Sequence, residues 1–219
     1  MTKALIVPSN RGTLKKIGWT IMILLALLMF LLASRYLIFN SKEVYFEQQK
    51  VIYSAHMMAI LTHIVGSMMA TILGPFQFLP KIITNRYLNL HRWLGRTYLM
   101  GVLVGGFGGL YMAFLAYGGL VARLGFGILA IVWLLTGLMA YQKIRRKEIQ
   151  IHRQWMVRNY ALTFAAVTLR LWLILFQVVG VEFIDAYITV AWLSWVPNLI
   201  IAEFIINRIS PNQPSYTTA

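Results

Sequence analysis

Six long apolar segments, separated by short polar connections, follow one another along the chain. A helix needs about 20 residues to cross the hydrocarbon core of a bilayer, and each segment is long enough. The pattern predicts transmembrane helices near residues 17–39, 53–78, 94–117, 122–142, 157–180 and 184–206. We therefore expect an all-α integral membrane protein, with helices 2–5 as a four-helix core and helices 1 and 6 at its periphery.

The predicted domains are a cytoplasmic N-tail (1–16), the six-helix domain (17–209) and a disordered cytoplasmic C-tail (210–219). The first apolar segment is too long for the apolar region of a cleaved signal, and no small-residue cleavage site follows it. We interpret it as a retained helix. A hydrophobic content of 59% and a mean hydropathy of +0.70 agree with a membrane location.

The net charge of +14 is distributed unevenly between the two sides of the predicted bundle. Fifteen of the 20 Lys and Arg fall in the two tails and in the second and fourth connections, four lie on the other side, and Arg170 lies within a helix. The positive-inside rule places both termini in the cytoplasm. The basic excess favours anionic lipids as partners and not nucleic acid.

The chain has no cysteine, which excludes disulfides, iron–sulfur clusters and thiolate chemistry. No nucleophile paired with a base is visible, so hydrolase activity is not favoured, and whether the protein is an enzyme stays open.

Arg170 is the only charge in the apolar stretch 160–176. A charge at the bilayer centre costs about 2.5–3.5 kcal/mol on insertion scales, so it normally faces a partner, a ligand or water. Helical periodicity places further polar residues on its face, and Asn198 lies in the sixth helix. The predicted ligand or proton site consists of His63, Asn159, Thr163, Arg170, Gln177 and Asn198.

His63 and Arg170 each lie about ten residues from the outer ends of their helices, so we expect them to be neighbours. The alternative for His63 is a buried neutral imidazole that is hydrogen-bonded to a carbonyl. Glycines recur in the third helix at Gly101, Gly105 and Gly109, a spacing typical of close helix packing. The alternative interpretation of these glycines is room for a porphyrin plane.

The third and fifth helices begin with similar sequence motifs, in which His-Arg is followed by Trp, a second Arg and Tyr. His91 and His152 then lie at one depth on parallel helices, where they could be the axial metal ligands of one b-type haem. Four arginines would meet its propionates: Arg92, Arg96, Arg153 and Arg158. Interfacial anchoring of the helix ends is the alternative. Glu203 is expected to neutralise part of this basic cluster, and Pro197 to kink the sixth helix and free a carbonyl for Asn198.

The stretch from His63 to about Gly180 resembles an uncharacterised family of membrane proteins, domain of unknown function 2306. The resemblance rests on His63-Ile64-Val65-Gly66, Gly74-Pro75-Phe76-Gln77-Phe78, His91-Arg92-Trp93-Leu94-Gly95-Arg96-Thr97-Tyr98 and His152-Arg153-Gln154-Trp155-Met156-Val157-Arg158. It implies a multi-pass membrane protein, which we expect in a bacterial cytoplasmic membrane, and no particular activity.

Leu90-His91-Arg92-Trp93-Leu94-Gly95 also looks like a haem-ligand segment of the ascorbate-dependent transmembrane b-type cytochromes, Leu-His-Ser-Trp-Leu-Gly. That likeness implies six helices whose inner four hold two haems between histidine pairs. The fourth helix here has no histidine, so we expect one haem at most.

Three functions remain open. The first is a redox protein with one haem b on the cytoplasmic side and a quinone or proton site around His63 and Arg170. The second is a transporter or binding protein for an anionic or amphipathic small molecule, anchored by Arg170 and active alone or as a homodimer. The third is a membrane assembly or sensory protein without a ligand.

Overall fold

The computed structural model describes residues 11–38, 47–79, 83 and 85–209. The C-tail, most of the N-tail and the connection 39–46 lie outside the described residues. The described chain is helical throughout, and six of its helical segments are long and apolar enough to cross a membrane, which confirms the predicted fold class. These spans are Lys16–Leu37, Met57–Phe78, Leu88–Phe114, Gly119–Arg145, Ile149–Val179 and Phe183–Arg208.

The described chain contains nine α-helices. Eight of them form the six spans, because the fifth and sixth spans are each broken into two helices, and one short helix precedes the second span. They are α1 (Arg11–Ile38), α2 (Lys50–Ala55), α3 (Met57–Leu73), α4 (Leu88–Phe114), α5 (Gly119–Arg145), α6 (Ile149–Thr163), α7 (Ala165–Val179), α8 (Phe183–Leu193) and α9 (Val196–Ile209). Short 3₁₀ turns at Glu47–Gln49, Gly74–Phe78 and Asn85–Tyr87 join them.

The third and fifth spans begin several residues earlier than predicted, at Leu88 and Ile149 instead of 94 and 157. Hydropathy marks only the part of a helix that is apolar enough for the bilayer core. The polar turns that hold His91 and His152 continue the same hydrogen-bonded helices beyond that part, so the predicted starts were wrong by about two turns.

The second to fifth spans pack in sequence: α3 against α4, α4 against α5, and α5 against α6. α1 lies on α3, whereas α8 packs on α5 and α7, and α9 packs on α6. The first and sixth spans thus flank the predicted four-helix group.

The backbones of α3 and α4 touch along the predicted glycine face. A Cβ on Gly105 would lie 2.8 Å from the backbone nitrogen of Ser67, and one on Gly66 would lie 2.3 Å from the nitrogen of Gly105. A Cβ on Gly101 would likewise meet the carbonyl oxygen of Gly66 at 2.8 Å. The packing interpretation is confirmed. The porphyrin interpretation of these glycines is wrong, because α3 fills the space beside them.

The fifth span breaks at Phe164, between α6 and α7, where the amide of Val167 donates to the carbonyl of Phe164 three residues earlier. The polar stripe predicted for one continuous helix is therefore divided between two. The sixth span breaks just before Pro197, which cannot donate a backbone hydrogen bond. The side chain of Asn198 donates to the carbonyl of Ser194 at 2.9 Å, as predicted for a carbonyl freed by the kink.

Candidate functional site

A cavity of about 250 Å³ lies inside the bundle, and residues from all six spans line it. Most of its wall is apolar, and many of the side chains are small, such as Ala113, Ala130 and Ala165. Because glycine and alanine occupy several helix faces, the helices leave space between them that larger side chains would fill. Its lining includes a group of polar residues around Arg170, among them Tyr36 and Tyr53.

Arg170 projects from α7 into this cavity. Its Nη1 donates to the carbonyl of Ala166 in the preceding turn, at 2.9 Å. Within the described ranges, the three ion pairs are Lys50–Glu47, Lys143–Glu148 and Arg158–Glu203, so none of the described carboxylates pairs with Arg170. Tyr36 and Tyr53 lie within electrostatic range of the guanidinium and line the same cavity. A cation with several N–H donors is thus presented to an internal space.

His63 lines the cavity beside Arg170, as their equal depths in the sequence predict, and lies within electrostatic range of it. Its Nδ1 is 2.8 Å from the carbonyl oxygen of Gly105. A carbonyl accepts hydrogen bonds, so Nδ1 carries the proton and Nε2 keeps its lone pair. The ring has room because Gly109 lacks a Cβ, which would lie 2.7 Å from Nδ1. The hydrogen bond to a carbonyl that the alternative interpretation predicted for His63 is therefore present. His63 nevertheless lines the cavity.

Three polar residues that the sequence analysis missed line the cavity together with Arg170. Tyr53 of α2 is hydrogen-bonded to Tyr187 of α8, which is also hydrogen-bonded to Gln49. Burial raises the pKa of Tyr53 well above that of a free phenol, so it is a neutral hydrogen-bonding group at physiological pH. Gln49 is only 1% exposed. Tyr and Gln are uncharged and do not stand out in an apolar segment as Arg170 does. Gln49 also precedes the predicted second helix, so helical periodicity could not assign these three residues to the site.

Of the six residues predicted for the ligand or proton site, His63, Thr163 and Arg170 line the cavity. Gln177 does not line it and is exposed, because it lies in the last turn of α7, beyond the packed part of that helix. Asn198 does not line it either, since its amide donates to the carbonyls of Ala161 and Ser194. These two placements correct the predicted site.

Asn159 is fully buried in a closed network between α4, α5 and α6 and not in the cavity. It accepts from the Tyr98 hydroxyl at 2.6 Å and donates to the Trp133 carbonyl at 2.7 Å and the Thr136 hydroxyl at 2.8 Å. The indole of Trp133 donates to Thr163 at 2.9 Å. The side-chain amide of Asn159 is therefore used for packing, and it is not available to a ligand.

At the end where α4 and α6 begin, which we name the basic end, His91 and His152 lie within electrostatic range of each other. The Nδ1 of His152 is 2.8 Å from the Ala140 carbonyl, so its Nε2 keeps a lone pair. The Nδ1 of His91 is buried and has no hydrogen-bond partner among the described residues. In the described part of the chain, no group of three or more His, Asp or Glu could hold a metal ion.

The arginines near these histidines fall into two groups. Arg92, Arg96 and Arg153 are exposed, and Arg96 lies 5.5 Å from the ring of Trp93. Arg158 instead forms a two-pronged ion pair with Glu203, at 2.6 and 2.8 Å. The predicted neutralisation by Glu203 is thus confirmed. Arg158 is already paired, so we remove it from the candidate propionate contacts.

Six membrane-spanning helices around an internal cavity make this chain a multi-pass integral membrane protein. It belongs to the family described as predicted membrane protein (DUF2306), whose model matches residues 60–206. No curated protein and no solved structure matches the chain significantly. The likeness to b-type cytochromes stays a prediction.

Proposed function

We propose that this membrane protein binds, and as a transporter moves, an anionic amphipathic small molecule in the internal cavity. The observation that carries the proposal is Arg170, a guanidinium that lines the cavity and pairs with none of the described carboxylates. An anion would supply the counter-charge that none of the described carboxylates provides. Charge-assisted hydrogen bonds are roughly twice as strong as neutral ones, and a planar guanidinium suits a carboxylate or phosphate.

The rest of the cavity supports an amphipathic ligand over a small polar anion. Beyond Arg170 the wall consists mainly of apolar residues, such as Ile60, Met68 and Leu162. An alkyl tail there would be in contact with apolar groups, as in lipid. The phenol of Tyr53 and the Nε2 of His63 provide further polar contacts for a head group.

The uneven charge distribution supports a cytoplasmic position of the basic end, as the positive-inside rule predicts. Arg170 would then lie toward the opposite side. The exposed Arg92, Arg96 and Arg153 would attract anionic lipid head groups, at about 1 kcal/mol per charge near the surface. A quinone partner and a homodimer stay predictions.

Replacing Arg170 with Gln should weaken binding of decanoate, a simple amphipathic anion, about 10- to 100-fold. Hydrogen bonds to charged groups contribute about 1.5–3 kcal/mol, and tenfold in affinity corresponds to about 1.4 kcal/mol. The measurement is calorimetric titration of the full-length protein in nanodiscs of zwitterionic lipid, with empty nanodiscs as the blank. The thermal stability of Arg170→Gln should not fall, because the substitution removes from the membrane a charge that none of the described carboxylates offsets.

Arg35→Gln is the matched control, since Arg35 is exposed on α1, next to the cavity-lining Tyr36, and does not itself line the cavity. It removes the same charge and should leave the decanoate affinity within about twofold. If decanoate does not saturate the unaltered protein, or if both variants bind it equally, the proposal is wrong and a ligand-free assembly role is favoured.

A second candidate function is redox chemistry with one haem b at the basic end. The observation that favours it is the hydrogen bonding of His91 and His152, whose imidazoles lie within electrostatic range of each other. The Nδ1 of His152 is held by a carbonyl, as in axial ligands, and the buried Nδ1 of His91 has no partner in the part of the chain that the structure describes. His91 and His152 would hold the iron, and the exposed Arg92, Arg96 and Arg153 would be available to the propionates. When bound, haem would supply one-electron transfer.

The haem proposal predicts a Soret band in protein that is produced with ample haem and purified in detergent. The band should shift and sharpen on dithionite reduction, and His91→Ala or His152→Ala should remove it. His56→Ala is the control, because His56 lies at the other end of the bundle, where its Nδ1 is 3.0 Å from the hydroxyl of Tyr111. A flat spectrum from the unaltered protein would eliminate this function and leave the anion proposal untouched.

A further inference from the structure

Two hydroxyl groups of α3 differ from those of the other helices. Elsewhere in the described chain, helical Ser and Thr hydroxyls hydrogen-bond to a carbonyl three or four residues earlier: Thr20, Ser34, Ser54, Thr62, Thr97, Thr136, Thr163, Thr168 and Thr189. Among the described residues, the hydroxyls of Ser67 and Thr71 bond to no protein group, yet both residues line the cavity. Among the described residues, the Ser194 hydroxyl also has no partner, but Ser194 lies in the break between α8 and α9 and does not line the cavity.

These hydroxyls form a stripe along one wall of the cavity. His63, Ser67 and Thr71 are spaced four residues apart on α3, and all three line the cavity. A helix rises 1.5 Å per residue, so Ser67 lies about 6 Å and Thr71 about 12 Å along the helix from His63. Arg170 lines the same cavity within electrostatic range of His63, and their positions in the spans give the two residues similar depths. Thr71 is then about 12 Å deeper than the proposed anion anchor. Thr71 is only 2% exposed, so its side chain lies inside the bundle and not on the surface that faces the lipid.

We infer that Thr71 forms a second polar subsite, which accepts a hydroxyl or carbonyl oxygen carried by the tail of the ligand. The ligand class is then an oxygenated amphipathic acid, with its second polar group about 12 Å from its acidic group. Ser67 would provide a polar contact on the way. This inference rests on the proposed anion binding. It adds that the same site should prefer acids with an oxygenated tail over acids with a plain alkyl tail.

The chemistry of an unbonded hydroxyl in a membrane protein supports this role. Serine and threonine in helices usually satisfy their hydroxyl with a carbonyl of the preceding turn, as nine others do here. A hydroxyl whose donor and acceptor both lack a protein partner in a mainly apolar cavity gains more from a ligand oxygen than from an alkyl group. A ligand oxygen at Thr71 would satisfy the hydroxyl, whereas a plain alkyl tail would leave it unpaired.

The test compares decanoate with ω-hydroxydecanoate, which has the same acid and chain length and adds one terminal hydroxyl. Calorimetric titration of the full-length protein in zwitterionic nanodiscs should show about 3- to 10-fold tighter binding of the hydroxy acid, the gain expected of one neutral hydrogen bond. Thr71→Val keeps the shape of the side chain and should reduce this preference to about one. Thr62→Val should keep the preference, because Thr62 is exposed on the same helix and its hydroxyl bonds to the Ala59 carbonyl.

The outcomes separate the inference from the proposed function. If neither acid binds, the proposed function fails, and the inference fails with it. If both acids bind the unaltered protein equally, anion binding stands and the Thr71 subsite is wrong. A preference that survives in Thr71→Val would also overturn the subsite. In that case, Ser67→Ala would show whether the hydroxyl is recognised one turn higher on α3.

Discussion

Replacing Gly66 with Ala is expected to destabilise the protein by about 3 kcal/mol, although alanine is the better helix former by about 1 kcal/mol. A Cβ on Gly66 would lie 2.3 Å from the backbone nitrogen and 2.6 Å from the Cα of Gly105. These are main-chain atoms and cannot rotate away as a side chain would. The two helices would have to separate, which would also open the cavity wall that they share. Thermal unfolding in detergent should show a fall of about 6–12 °C in Tm.

Gly127→Ala is the matched control, because Gly127 also lies within a membrane-spanning helix. Its Cβ would have only the side chain of Ala113 nearby, at 3.9 Å, which is ordinary contact. We expect its Tm to be equal to that of the unaltered protein or slightly higher. Equal stability of the two alanine variants would contradict a rigid backbone contact between α3 and α4.

The architecture could be predicted from the sequence, because membrane insertion imposes simple rules on length and hydropathy. The six spans and the close approach of α3 and α4 follow from the apolar segments and the repeated glycines. Gly66, which makes the tightest of these backbone contacts, could not be distinguished in the same way. It is a single glycine among apolar residues, and its importance depends on which helix lies opposite.

The pair at the centre of the site was predictable, whereas its surroundings were not. Counting residues from the helix ends was enough to place His63 beside Arg170. The prediction that Gln177 belongs to the site was wrong. It assumed that one unbroken helix continues across Phe164, whereas the span is divided there into two helices. Tyr53 and Tyr187 come from distant parts of the chain, and only the tertiary packing brings them together.

The polar residues of this bundle fall into two layers with different chemistry. The network around Asn159 is closed, since each of its polar groups meets another protein group. Around Arg170 the polar groups instead face a cavity, and the guanidinium pairs with none of the described carboxylates. A closed network stabilises the packing of the helices, whereas an open set of donors can bind a ligand. This contrast is why we place the site at Arg170 although Asn159 is the more deeply buried residue.

Replacing Asn159 with Leu should therefore act on stability. The substitution removes three hydrogen bonds, from the Tyr98 hydroxyl and to the Trp133 carbonyl and the Thr136 hydroxyl. Side-chain hydrogen bonds within membranes contribute about 0.6 kcal/mol on average and about 1.7 kcal/mol at most, so the loss should be about 2–5 kcal/mol. The Tyr98 hydroxyl keeps its contact with Thr163, which moderates the loss. We expect Tm to fall by about 4–20 °C in detergent.

Asn89→Leu makes the same chemical change at an exposed position in the first turn of α4 and should change Tm by no more than about 2 °C. A second variant, Asn159→Asp, separates the hydrogen bonds from the volume of the side chain. It keeps an acceptor for Tyr98 but places a carboxylate against the Trp133 carbonyl, so it should be at least as destabilising as leucine. If Asn159→Leu were as stable as the unaltered protein, the closed network would not stabilise the fold. The function of this buried amide would then have to be sought in ligand or proton binding, as its place in the sequence first indicated.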